Sequence, residues 1–505
     1  MSIPVTRKNL KINNQTWPNI LEECKNIFDE DPILELALAP IVKDTARGII
    51  KPMRTYFFKK TMLPLWSVIK KVFHLTKGKI NNIEHINSDK SSCVFCLTTT
   101  RENDFNSIYP VIKKTSEKDE NIIIFTYNKV YKEKNNELKS IKNLSIMFFE
   151  NILYNTKTSE ILSSYKKAKK SYKNFIKNIK NQEISDFVKK NKHMFIFKIE
   201  ELLIDSFSLL RFFENKKCRF IYSWGGYFPL SIVANKLKIR NIMIQHGVYT
   251  QIDQLKNEIQ PPESSPHASD EIITWGKYGK QMLDNLFQNK LTDRIYPLGD
   301  PRQDVIINNY VSQKRDNKYY SELKLDPNKK TITYFSSTLS IDEGQPKERY
   351  LNPLEAIDKL YEKMNDKINI VIKLHPHETF YYLEKHLKYY GKIPIIKDEY
   401  PLYKILQHTD ISVTVESSTL LESMIFKLPT IQLSLSKYGV RSDYYKHDAS
   451  ILIKKTDDFL EIIENITSDK YNLSKLKQGQ KNFLENNFSN LGSATEKIVE
   501  HLFKN

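Results

Sequence analysis

Two series of short, unbroken apolar runs constrain this chain more than any other feature. The first holds "CVFCLTTT", "NIIIFTYN", "LSIMFFEN", "RFIYSWGG", "IRNIMIQHG" and "DEIITWG". The second holds "TITYFSS", "INIVIKLHP", "IPIIK", "ISVTVESS", "PTIQLSL" and "ASILIKK". Each run has strand length, and stretches with helical spacing separate one from the next. A strand that is apolar on both faces has to be covered on both faces, as happens in a parallel sheet with crossover helices. The pattern predicts an α/β chain with two Rossmann-like halves. In such halves the C-terminal ends of the strands carry the ligand, so two parallel sheets facing a central cleft are expected.

The polar stretch "VSQKRDNKYYSELKLDPNK" divides the two series. The expected organisation is a helical, basic N-terminal region over 1–88 and an N-terminal Rossmann-like domain over 89–310 that contains a lysine-rich helical insert. A linker over 311–329, a C-terminal Rossmann-like domain over 330–470 and C-terminal helices over 471–505 follow. In the insert, Tyr165, Ala168, Tyr172, Phe175, Ile176 and Ile179 fall on one stripe at helical spacing, with lysines elsewhere. That lysine face is either solvated or drawn to an anionic polymer or membrane. The N-terminal segment "RGIIKPMRTYFFKKTMLPLWSVIKKVFHLTKGK" interleaves basic with large apolar residues. It fits a helix lying on an anionic membrane surface, or one packed on its own domain with a basic face in water.

Charge narrows the partners without choosing one. Lys and Arg number 78 against 60 Asp and Glu, a net charge of +18, which favours nucleic acid, anionic lipid or phosphate-bearing substrates. A lysine-rich composition can also follow from genomic base composition, so the charge by itself selects no ligand. No secretory leader and no bilayer-spanning apolar run is evident, and a cytoplasmic protein, peripheral at the inner face of the membrane, is expected. The four cysteines, Cys24, Cys93, Cys96 and Cys218, are too few for a disulfide framework. Cys93 and Cys96 have CxxC spacing, but they lie in a strand-like run with no second pair, so they read as core thiols.

Four motifs stand at the C-terminal ends of predicted strands. Gln245-His246-Gly247 places a histidine where a glycine allows a sharp turn, and an imidazole titrates near operating pH, as a general base must. "YPLGDPRQDVI" follows with Gly299, Arg302 and Asp304; Arg302 can meet a phosphate and Asp304 can cap a helix. "VIKLHPHE" ends a strand at His375, because Pro376 cannot donate to the ladder, and Lys373, His377 and Glu378 lie close by. "ISVTVESSTLLES" ends at Glu416, after which Ser417, Ser418 and Thr419 open a helix that can cradle a phosphate. Glu422, one turn on, can accept from a ribose hydroxyl. Gly225 and Gly226 after "RFIYSW" complete the expected cleft lining, together with Gln245, Gly247 and Gly299. No Walker or GxGxxG motif occurs, and Asp29-Glu30-Asp31 precedes a proline in a helical region. A metal-independent reaction with no resident cofactor is expected.

The order "QHG", "GDPRQD", "KLHPHE", "ESSTLLES" resembles GT-B-fold transferases of bacterial surface polymers, above all the teichoic-acid-type glycerophosphotransferases and related capsule enzymes. The resemblance spans roughly 215–465. It implies that His246 is the base on an acceptor hydroxyl and that His375 contacts the donor phosphates. It also implies that Ser417, Ser418 and Thr419 hold the diphosphate and that Arg302 lines the cleft. The serines follow "TVE" where the family has Asp-Tyr, and Gln245 stands where it has Trp. Bacterial sialyltransferases offer a second resemblance through "SIDEGQP", His375-Pro376 and Ser417-Ser418. On that comparison Asp342 and Glu343 are candidate bases, although they stand in the second half of the chain, not the first.

Taken together, the sequence predicts an inverting GT-B glycosyltransferase that moves a sugar from a nucleotide-activated donor to a glycan or lipid-linked acceptor. A polyol-phosphate transferase using the same residues stands beside it. A non-catalytic polyanion- or membrane-binding protein is the reading from another class, and nucleic acid is not an expected partner.

Overall fold

The computed structural model describes residues 16–46, 91–99, 102–118, 120–149, 158–214, 216–224, 228–245, 267–287, 291–311, 313–336, 347–375, 378–440 and 442–504. The chain divides into two compact units. The first takes residues up to 249, 253–302 and 493–505, and the second takes 303–492 with the short stretch 250–252.

The first unit is built on seven parallel strands: β1 (Ser92–Leu97), β2 (Asn121–Thr126), β3 (Leu144–Phe148), β4 (Cys218–Trp224), β5 (Arg240–Ile244), β6 (Glu271–Thr274) and β7 (Ile295–Pro297). Their spatial order is β3-β2-β1-β4-β5-β6-β7, and every pairing is parallel. The direction of winding reverses between β1 and β4, which makes their C-terminal ends the switch point of the sheet. Alternation along β1 explains its unbroken apolar sequence. Cys93, Phe95 and Leu97 join a core with the helices Glu102–Ser116 and Ala494–Leu502 on one face. Val94 and Cys96 pack with the helices Lys192–Phe213 and Phe228–Leu237 on the other. All four cysteines are free thiols, and burial pushes Cys96 up to about 12, as suits core residues.

The lysine-rich insert forms the helices Thr158–Asn178 and Gln182–Lys190. Ala168, Tyr172 and Phe175 are buried, with Tyr165, Ile176 and Ile179 packed beside them. The partner surface comes from the N-terminal helices and the helix Lys192–Phe213; Phe175 stacks on Phe28 with centroids 5.6 Å apart. The apolar stripe is therefore core, and the lysines take the solvent face. Residues 47–90, which hold the basic N-terminal segment, lie outside the described residues. Among the described residues no helix is long and apolar enough to cross a membrane.

The second unit repeats the plan with six parallel strands: β8 (Lys330–Phe335), β9 (Ile368–Lys373), β10 (Ile395–Ile396), β11 (Ile411–Thr414), β12 (Thr430–Leu433) and β13 (Ile451–Ile453). Their order is β10-β9-β8-β11-β12-β13, so the switch point falls between β8 and β11. The expected linker over 311–329 is instead an integral part of this unit. It carries the helix Asn317–Glu322, and Tyr319 is buried and stacks on His408 with centroids 4.2 Å apart. The His408 ring accepts from the Asp316 N–H at 2.7 Å and lies 2.7 Å from the Lys404 carbonyl. Its neutral tautomer satisfies both bonds, in keeping with the burial that lowers its pKa. Polar composition hid this packing, because a few aromatic side chains do the anchoring. The C-terminal helices also part company: Ser474–Asn487 stays with the second unit, whereas Ala494–Leu502 packs in the first.

Candidate active site

In the first unit β5 ends at Ile244, and the next residue is the buried Gln245. Its backbone N–H donates to the Ile273 carbonyl at 2.7 Å, and its side-chain oxygen accepts from the Trp275 N–H at 2.9 Å. That oxygen also lies 2.5 Å from where a Cβ on Gly279 would stand. Gln245, expected to line the cleft, is thus packed at the strand end and 3% exposed. His246 and Gly247, and likewise Gly225 and Gly226 after β4, lie outside the described residues.

The "GDPR" turn follows β7. Gly299 has φ 108°, a conformation only glycine adopts without strain. Asp300 is buried, and it accepts from the Ser107 hydroxyl at 3.4 Å and from the Arg302 N–H at 3.0 Å. The Arg302 guanidinium meets the same carboxylate at 3.0 Å and lies over the Trp275 ring, 4.9 Å from its centroid. Arg302 therefore carries a charge already paired and stacked. Asp300, not the expected Asp304, takes the capping position; Asp304 is buried within the first turn of the helix Pro301–Ile306.

In the second unit three strand ends are stitched together. At the end of β8 the Ser336 N–H continues the ladder to the Lys373 carbonyl at 2.9 Å. At the end of β9 the His375 N–H donates to the Ser336 hydroxyl at 2.9 Å and to Glu378 at 3.1 Å. At the end of β11 the Thr414 hydroxyl donates to the Phe335 carbonyl at 2.6 Å and accepts from the Ser417 N–H at 3.3 Å. These bonds connect the histidine motif to the serine motif across β8, so His375 and Ser417 converge on the switch point of one sheet.

The serine turn has a division of labour. The Ser417 hydroxyl accepts from the Thr419 N–H at 3.2 Å and donates to the Thr419 hydroxyl at 2.9 Å, which closes the start of the helix Thr419–Ile425. Ser418 is exposed and makes no side-chain cap bond, leaving its hydroxyl open to solvent. Glu416 forms an ion pair with Arg349, whose side chain is 4% exposed against 8% for Glu416. Arg349 also donates to the Gly439 carbonyl at 3.2 Å. Glu422 is 2% exposed and Lys373 turns its ammonium to the Leu374 carbonyl at 2.6 Å. Glu416, expected at the donor, is thus engaged by Arg349, and Glu422, expected there too, is buried. Burial holds the Lys373 pKa below its ordinary value, with Asp398, Glu399 and Glu378 opposing it. Asp342, Glu343, Pro376 and His377 lie outside the described residues.

Sequence reading missed Ser336, Thr414 and Arg349. Ser336 was detectable: it is the first polar residue after the apolar run "TITYF", at a strand end like those that carry His375 and Glu416. Arg349 was not, since only the tertiary fold brings it from the helix Glu348–Met364 to Glu416. Among the described residues no group of His, Cys, Asp and Glu could hold a metal ion.

Comparison with known proteins identifies the frame. Residues 88–504 match the family described as "CDP-Glycerol:Poly(glycerophosphate) glycerophosphotransferase". A "Teichoic acid poly(glycerol phosphate) polymerase" of Staphylococcus epidermidis is 27% identical over 157 residues, which is 31% of this chain and 20% of that relative. This chain therefore aligns with about a fifth of that relative's length. Among solved structures, the UDP-GlcNAc 2-epimerase of Methanocaldococcus jannaschii superposes with TM-score 0.52 at 17% identity, over 81% of this chain and 99% of that one. A variant of the wall teichoic acid polymerase TagF does so with TM-score 0.50 at 15% identity, over 88% and 96%. These likenesses are of fold, and the fold is GT-B-like.

Proposed function

The chain belongs to the CDP-glycerol:poly(glycerophosphate) glycerophosphotransferase family, and from that membership we propose that it transfers glycerol phosphate from CDP-glycerol to a hydroxyl of a cell-surface polymer. The chain is a transferase of surface-polymer synthesis with a nucleotide-linked donor. The polyol-phosphate version replaces the sugar transfer that the sequence motifs put first. The observation that carries the reading is the family match across 88–504, which includes both strand-end sets.

In the proposed reaction the acceptor oxygen attacks the phosphorus that bears glycerol, and the bond from that phosphorus to the CMP oxygen breaks. CMP leaves, and the acceptor proton passes to His246, one residue beyond Gln245. A positioned base contributes on the order of 10²–10⁴-fold. His375 contacts the diphosphate from the end of β9, and the exposed Ser418 hydroxyl supplies a further donor. Arg302 supports the first unit's turn through its Asp300 pair. The excess of positive charge favours an acceptor held at an anionic membrane surface.

The test is CMP release from CDP-glycerol in the presence of a lipid-linked or poly(glycerol phosphate) primer, with UDP-sugars and CMP-sugars run in parallel. Release from CDP-glycerol alone supports the proposal; turnover confined to a sugar nucleotide would return the reading to a glycosyltransferase. The His246→Ala variant should lose transfer while still binding nucleotide, and wild-type turnover in it would refute the base assignment.

A further inference from the structure

We infer that Ser336 and Glu378 are positioning residues that hold both backbone polar groups of His375 and so fix the direction in which its imidazole meets the donor. This rests on the proposed role of His375 at the donor phosphates.

The geometry is a closed set. β8 and β9 pair in register up to Phe335 and Lys373, and the Ser336 N–H adds one further rung. Beyond that rung the His375 N–H goes to the Ser336 hydroxyl at 2.9 Å and to the Glu378 carboxylate at 3.1 Å. The Ser336 hydroxyl donates in turn to the same carboxylate oxygen of Glu378. On the other side, the Glu378 N–H donates to the His375 carbonyl at 2.9 Å. With its N–H and its carbonyl both tied, the His375 backbone is held, and this sets the Cα–Cβ direction along which its imidazole leaves the strand end.

The surroundings argue against a role in stability alone. Burial pushes the Glu378 carboxyl above its usual range, with Ser336 and the His375 N–H pulling the other way. Its second oxygen, Oε1, and the hydroxyl of Tyr350 are both buried with no hydrogen-bond partner among the described residues. The Glu378 charge also raises the already high Tyr334 and Tyr350. A carboxyl whose pKa rises on folding stabilises the fold only at low pH, and its ionised form subtracts from stability as pH climbs through the folded value. A neutral group would close the same turn with less strain on the fold. The carboxylate is well placed, however, to accept from the His375 N–H and the Ser336 hydroxyl at once. A misplacement of about 1 Å at a reacting group can cost on the order of 10²-fold in rate, so a backbone clamp on His375 has a large lever.

The experiment measures kcat and KM for CDP-glycerol with a poly(glycerol phosphate) primer. Ser336→Ala and Glu378→Ala should each lower kcat by about 10- to 30-fold with KM changed less than about threefold, because positioning acts on the transition state. Glu378→Gln and Ser336→Thr, which keep the bonds to the His375 N–H, should stay within about threefold of wild type. In a His375→Ala background the same alanine changes should matter by less than about twofold, since they act through that residue. Glu378→Gln should melt no lower than wild type. If the alanine variants keep wild-type kcat, or lose the same factor without His375, the inference is overturned while the proposed function stands. If Ser336→Ala or Glu378→Ala does not fold, Glu378→Gln and Ser336→Thr decide: a tenfold loss in either, in a folded protein, overturns the inference. Wild-type turnover in His375→Ala itself overturns the donor-site reading and the inference with it.

Discussion

Single residues in this protein are held by charge pairs that predict sharp responses. Arg349 and Glu416 are both nearly fully buried as an ion pair. Arg349→Ala leaves a buried carboxylate without its cation, and the second unit should lose about 3–5 kcal/mol, measured by urea unfolding. A loss below about 1 kcal/mol would mean that Glu416 is rescued by other donors. Glu271 joins Arg240, at 2.9 Å in its second bond, and His501 of the C-terminal helix at 2.5 Å. Burial pushes the Glu271 carboxyl up, but His501 and Arg240 outweigh it and hold its pKa at about 2. A carboxyl depressed on folding contributes stability above its unfolded pKa and loses it as pH falls toward the folded value. Glu271→Gln should therefore be less stable than wild type at pH 7 by on the order of 2–3 kcal/mol, with the gap closing between about pH 4.5 and 2. A gap that does not change with pH would sink the assignment.

At the scale of elements, the helix Thr158–Asn178 tests whether the sequence stripe is core. Phe175 is fully buried against Phe28 and Phe195. Phe175→Ala should cost about 3–5 kcal/mol through lost burial and a cavity, whereas Lys173→Ala on the exposed face should stay within about 0.5 kcal/mol. Equal effects would mean that Phe175 is not a core residue. The serine turn makes a second element test: Ser417→Ala removes the acceptor for the Thr419 N–H and should cost about 1 kcal/mol in thermal unfolding. The strands and their flanking helices were legible because their apolar runs follow from burial on both faces, a local property. The 313–323 segment was not, because Tyr319 and Arg315 are anchored by His408 and Asp410, which arrive from far along the chain. The candidate site was half legible for the same reason. His375 and the serines stand at strand ends that the sequence marks, but the Ser336, Thr414 and Arg349 contacts depend on which strands become neighbours.

For the whole molecule, the decisive measurement is nucleotide binding. A ligand that binds only the folded state at a hundred times its Kd stabilises it by about 2.7 kcal/mol, so CDP-glycerol should raise the melting temperature while UDP-GlcNAc does not. The same shift with both would remove the preference for a glycerol-phosphate donor. Length and periodicity alone determined that this chain makes two parallel α/β sheets, since hydrophobic spacing dictates which residues can be buried. Only the tertiary structure decided that Gln245 is packed at its strand end and Glu416 paired with Arg349, that the polar segment after 311 is packed, and that Ser336 clamps His375. Those outcomes turn on hydrogen bonds and ion pairs between residues distant in sequence, and a one-dimensional pattern carries no record of them.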